Sequence, residues 1–92
     1  MSSVGAHLRI TGVVQGVGFR YFCYMKATQL DLVGWVRNNP DSSVELTVEG
    51  DRSGVEALID QLKIGPHSAV VRGFDVKWLE FTGEFRSFDV SH

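Results

Sequence analysis

Gly16, Gly18 and Arg20 lie within one short segment, Gln15-Gly16-Val17-Gly18-Phe19-Arg20, and together they have the chemistry of an anion site. Glycines let a backbone turn its N–H groups toward one point and let an anion approach closely. The guanidinium of an arginine offers a planar fork of donors that matches phosphate oxygens. The segment is not a Walker A loop, because no Gly-Lys-Ser/Thr follows, and it is not Gly-x-Gly-x-x-Gly. The surrounding charge agrees with an anion site. No Asp or Glu precedes Asp31, while Arg9, Arg20 and Lys26 stand unopposed. Chance in a short stretch gives the same pattern, so charge alone does not decide.

A phosphate site with no evident nucleophile points to hydrolysis by water. Phosphoryl transfer to water is catalysed mainly by placement and electrostatic stabilisation. A neutral amide, which both donates and accepts hydrogen bonds, suits the task of orienting that water. Asn38 and Asn39 are candidates, although both are also turn formers ahead of Pro40. The remaining reactive side chains read as structural. Cys23 is the single cysteine, so no internal disulfide or cysteine-based metal site is available, and it falls on an apolar stripe. His7, His67 and His92 have no ligand spacing. No metal is therefore expected. Tyr21, Phe22 and Tyr24 read as core flank and surface rather than a stacking platform, and Trp35 and Trp78 as strand residues.

These residues need elements to place them. Leu8, Ile10, Gly12 and Val14 alternate with Arg9, Thr11 and Val13, which predicts a strand. The loop from Gly12 to Arg20 follows. Phe19, Cys23, Ala27 and Leu30 then recur at helical spacing, which predicts a helix from Arg20 to Leu30. A helix start directly after a glycine loop strengthens the anion reading, because its first N–H groups have no internal partner. Val33–Arg37 and Val44–Glu49 read as an antiparallel hairpin closed by Asn39-Pro40-Asp41-Ser42-Ser43. Asp51 or Ser53 is expected to cap a second helix carrying Val55, Leu58, Ile59 and Leu62, and Gly65-Pro66 stops it. A strand over Val70–Trp78 and a short one at Phe88 and Val90 complete the order β-α-β-β-α-β plus a terminal β. That is an α+β, ferredoxin-like α/β sandwich with two helices on one face of an antiparallel sheet and the other face open to solvent.

The chain has 92 residues, enough for one domain spanning 1–92. A net charge of −2 and a pI near 5.8 argue against a general nucleic-acid partner. The N-terminus does not read as a signal peptide and no apolar run is of membrane-spanning length. The expectation is a cytoplasmic monomer without a nucleic-acid or membrane partner.

Val14-Gln15-Gly16-Val17-Gly18-Phe19-Arg20 resembles the signature V-Q-G-V-x-F-R of the acylphosphatase family. Ala27 and then Leu30-Asp31-Leu32-Val33-Gly34-Trp35-Val36-Arg37-Asn38 resemble the family's second block, A-x-x-L-G-L-x-G-W-V-R-N, at matching spacing. Val44-Glu45, Glu49-Gly50, Gly65-Pro66 and Phe88-Asp89-Val90 extend the similarity over essentially the whole chain. The resemblance implies hydrolysis of acyl phosphates without metal or cofactor. It implies that Arg20 binds the phosphate, that backbone N–H groups of Gln15, Gly16, Val17, Gly18 and Phe19 form the cradle, and that Asn38 orients the attacking water. It further implies a small-molecule acyl phosphate as substrate, inorganic phosphate as product inhibitor, and a substrate that helps to deprotonate the water. Departures are Asp31 where the family often has Gly, a hairpin turn without Gly, and an ending of Ser91-His92 where some members use a terminal group to hold the arginine loop. The competing reading is a non-catalytic small-anion-binding regulatory module of the same fold.

Overall fold

The opening alternation forms strand β1, Ser3–Val13, and the helical stripe forms α1, Phe19–Gln29, in the computed structural model, which describes residues 2–91. Strands β2, Val33–Asn38, and β3, Val44–Asp51, make the hairpin. Helix α2, Arg52–Ile64, strand β4, Val70–Leu79, and strand β5, Phe88–Val90, follow. The strand order is β4-β1-β3-β2-β5. β1 pairs antiparallel with β3 and β4, and β2 antiparallel with β3. The short β5 joins β2 in parallel, so the sheet is mixed rather than wholly antiparallel.

Both helices cover one face. Strand alternation turns Ala6, Leu8 and Ile10 of β1, Val36 of β2, and Val44, Leu46 and Val48 of β3 toward them, all fully buried. Phe19, Cys23 and Ala27 of α1 and Val55, Leu58, Ile59 and Leu62 of α2 fill the other side of this core. Each large buried side chain contributes about 1.5–3 kcal/mol by leaving water.

Helix ends follow local chemistry. After α1, Asp31 adopts a left-handed φ of 57°. Its N–H bonds the Thr28 carbonyl at 3.1 Å, and the Leu32 N–H bonds the Ala27 carbonyl at 2.9 Å, which is a Schellman closure. Asp51 occupies the N-cap of α2, but its carboxylate accepts the Ser53 hydroxyl and no backbone N–H. The expected side-chain cap is therefore not made; the Asp51 carboxylate bonds the Ser53 side chain instead.

The second sheet face carries His7, Arg9, Trp35, Arg37, Glu45 and Thr47. The Glu45 carboxylate takes two hydrogen bonds from Arg37, at 3.0 and 2.8 Å, and lies 2.8 Å from His7 Nε2. This face is not fully open. β4 and β5 lie at opposite edges, so the connection over residues 80–87 must cross from one edge to the other. It passes over Glu49, whose buried carboxylate accepts the Thr82 N–H at 3.0 Å, the Thr82 hydroxyl at 2.8 Å and the Gly83 N–H at 3.1 Å.

Candidate active site

Val44 faces Ile10 of β1 on one side and Asn38 of β2 on the other. The ends of β1 and β2 therefore arrive together at one end of the sheet, beside the start of α1. A β-bulge at Thr11/Gly12 bends the end of β1 just before the loop. In the loop, Val14 and Phe19 are buried and Val17 packs against the core, which anchors its apolar side. Gly16 and Gly18 have φ of 74° and 78°, and a side chain at either would meet only open space. Their positive φ, not crowding, calls for glycine.

Gly18 is the N-cap of α1 and supplies no side chain to its first turn, which also contains no acid. The free N–H groups and the helix dipole thus face the same open space. Arg20 lies in that first turn. Its Nη1 donates to the Ser91 carbonyl at 2.8 Å. Ser91 is itself held by its N–H on the Val36 carbonyl at 2.8 Å, as a continuation of the β5–β2 pairing. A backbone carbonyl thus holds the arginine among the described residues. No Asp or Glu there forms an ion pair with Arg20.

Asn38 closes β2. Alternation puts it on the same face as the buried Gly34 and Val36, toward the helices. Its Oδ1 is buried and has no hydrogen-bond partner among the described residues. A buried, unpaired amide oxygen is costly and is usually satisfied by water or ligand. Asn39, the other candidate, is spent on the turn: its Nδ2 donates to the Ser43 hydroxyl at 3.0 Å and its N–H to the Ser43 carbonyl at 2.9 Å.

Gly16, Gly18, Phe19, Arg20 and Asn38 line one cleft of about 680 Å³. Gln15 and Val17 do not line it. The Gln15 side chain instead donates to the carbonyls of Asn39 and Ser43, both at 2.8 Å, and ties the loop to the hairpin turn next to Asn38. The cleft also has walls that the sequence reading did not assign to the site: Tyr21 and Tyr24 from α1, and Ser87, Phe88, Asp89 and Val90 from the β5 region. Helical spacing places Tyr21 and Tyr24 on the flank next to Arg20, a signal present in the sequence. The contribution of β5 depends on topology and has no local signal. Trp35 lies on the other face beside His7 and Arg37, with ring centroids 6.3 Å from His7.

Cys23 is buried in the core, and burial pushes its thiol well above the ordinary range. It takes no part in the cleft. Among the described residues no group of His, Cys, Asp and Glu is placed to hold a metal, and no helix is long and apolar enough to cross a membrane.

Comparison with known proteins places this arrangement. The acylphosphatase family model matches residues 6–90. An acylphosphatase of Caldanaerobacter subterraneus subsp. tengcongensis is 45% identical over 84 residues, covering 91% of this chain and 93% of the relative. One from Thermococcus kodakarensis is 52% identical over 83 residues, covering 90% and 91%. The crystal structure of acylphosphatase from Bacillus subtilis superposes with a TM-score of 0.93 at 30% identity, over 97% of this chain and 99% of that one. With the loop, the arginine and the asparagine assembled on one cleft, and with matches that run almost from end to end, this chain belongs to the acylphosphatase family, whose reaction is the hydrolysis of acyl phosphates.

Proposed function

We propose that this acylphosphatase binds the phosphate of its substrate against Gly16, Gly18 and the first turn of α1, with Arg20 as the clamp, and that Asn38 places the attacking water. The cradle is the backbone from Gln15 through Phe19. The observation that carries the reading is the buried, unpartnered Oδ1 of Asn38 on the same cleft as Arg20 and the two glycines. An amide oxygen accepts a water O–H and is not itself a base, so its role is orientation.

Water attacks phosphorus in line, and the bond between phosphorus and the acyl oxygen breaks. The carboxylate leaves with the bonding pair. The proton of the water ends on a phosphate oxygen, so the dianionic acyl phosphate and water give one carboxylate and one dihydrogen phosphate. Charge on the equatorial oxygens falls between Arg20 and the N–H groups of the helix start, where it is best stabilised. A carboxylate is a good leaving group, so the step calls for no dedicated general acid. The reaction in this reading requires no metal or cofactor. Inorganic phosphate, occupying the same cradle, is a competitive product inhibitor. We further propose that residues 1–92 act as a single domain, as a cytoplasmic monomer, with no nucleic-acid or membrane partner. A non-catalytic anion-binding module is not favoured, given relatives named as enzymes over nearly the whole chain.

Benzoyl phosphate hydrolysis, followed by ultraviolet absorbance in excess EDTA, tests this. Turnover is expected to survive EDTA. In Arg20→Gln it is expected to vanish, with inhibition by inorganic phosphate weakened. Undiminished phosphate inhibition in that variant would remove Arg20 from the clamp.

A further inference from the structure

The cleft of about 680 Å³ is of the size that holds drug-sized ligands, much more than a phosphate needs. Its phosphate end is accounted for by the loop and Arg20. The rest is lined by Tyr21 and Tyr24 of α1 and by Phe88 and Val90 of β5. Tyr21 and Tyr24 are 63% and 38% exposed, and their rings stack at 6.2 Å between centroids with 28° between planes. Spaced by three residues in α1, they form one aromatic strip that begins beside Arg20. Tyr24, Ser87 and Phe88 continue into an adjoining hollow of about 330 Å³ that runs along α1 to Thr28 and Leu32. The charged residues lining the main cleft are Arg20 and Asp89. Among the described residues no second cation lines it to receive another anionic group on the substrate.

We infer that Tyr21 and Tyr24, with Phe88, form the acyl-binding wall of the site and select substrates with bulky, uncharged acyl groups, aryl groups above all, over acetyl phosphate. This rests on the reading of the cleft as the acyl phosphate site. An acyl chain joined to a phosphate in the cradle must leave in some direction, and this one carries apolar surface that the fold itself leaves wet. Aromatic faces bind an aryl group by offset or edge-to-face packing and by removing that surface from water. Such contacts change specificity without touching phosphorus, so they alter discrimination between acyl groups.

The test compares kcat/KM for benzoyl phosphate and for acetyl phosphate in the unaltered protein, in Tyr21→Ser/Tyr24→Ser and in Tyr21→Phe/Tyr24→Phe. The benzoyl-to-acetyl ratio is expected to fall by roughly tenfold in the serine variant, the scale of a lost apolar contact in a pocket. The phenylalanine variant keeps the ratio, since the ring faces and not the hydroxyls do the binding. A ratio that is unchanged in the serine variant, with both substrates slowed together, would overturn the inference and leave the hydrolase reading intact. A ratio lost equally in both variants would also overturn it, by assigning the effect to the hydroxyls. Absence of turnover on either substrate in the unaltered protein would overturn the hydrolase reading itself, and the acyl wall with it.

Discussion

At the scale of single residues, two acidic side chains occupy turns for different reasons, one at a left-handed backbone position and one through its carboxylate. Asp31 takes the left-handed position of the Schellman closure after α1, with φ of 57°. An L-residue pays for that conformation, Asp less than most. Asp31→Gly is therefore expected to raise stability by about 0.5–1 kcal/mol, read from the urea midpoint at unchanged m-value. A lower midpoint would mean that the Asp31 side chain has a stabilising role beyond the turn. Asp41 shapes the hairpin turn next to Asn38. Its carboxylate accepts the Ser43 hydroxyl at 2.6 Å and the Ser43 N–H at 3.0 Å, and it pairs with Arg9. The Ser43 hydroxyl and N–H, then Arg9, hold its pKa down at about 2, below the ordinary 3.8. A carboxyl with a depressed folded pKa stabilises the fold above its ordinary value and loses that contribution as pH falls through the folded one. Stability is thus expected to drop between about pH 4 and pH 2 more steeply in the unaltered protein than in Asp41→Asn, measured by denaturation at each pH. Parallel curves would show that the turn does not depend on the charge.

At the scale of elements, the strap over residues 80–87 is the feature least legible in the sequence. Glu49 sits in an alternating strand on the face opposite the helices, which reads as a solvated position. It is buried because the chain must travel from the β4 edge to the β5 edge, and Thr82 and Gly83 bring their donors onto it. A paired buried carboxylate that loses its place leaves several donors unsatisfied. Glu49→Ala is expected to lower stability by about 2–3 kcal/mol. A loss below about 0.5 kcal/mol, the range of ordinary surface changes, would contradict the role given to the strap. By contrast, α1 and the hairpin were legible. Phe19, Cys23 and Ala27 do form the buried stripe of a helix, and Val36 and Val44 do face the core from paired strands. Local periodicity carries that information. The parallel pairing of β5 with β2 depends on contacts between distant parts of the chain, which no short pattern encodes. The side-chain cap of α2 was also misread: Asp51 has the right type and place, but its carboxylate bonds the Ser53 hydroxyl and no backbone N–H.

At the scale of the whole molecule, the site is an intersection of elements. The end of β1 delivers the glycine loop, α1 delivers Arg20 and its free N–H groups, β2 delivers Asn38, and the chain after β5 delivers the Ser91 carbonyl that holds Arg20. Gln15 links two of these parts by clamping the hairpin turn, so a residue read as cradle backbone also has a side-chain role that the sequence did not reveal. Residue types and spacing, together with the family resemblance, pointed to Arg20 and Asn38; the choice of Asn38 over Asn39 on physical grounds needed the strand, because alternation sends one to the cleft and leaves the other to the turn. The role proposed for Asn38 is to act on water and not on phosphate. Its most direct test is steady-state hydrolysis of benzoyl phosphate by Asn38→Ala, with inorganic phosphate titrated as a competitive inhibitor. The expected result is a kcat lower by ~10²-fold or more, as for loss of an oriented transition-state contact, with the inhibition constant for phosphate unchanged. A near-normal kcat, or a phosphate affinity that falls in step with kcat, would contradict the account.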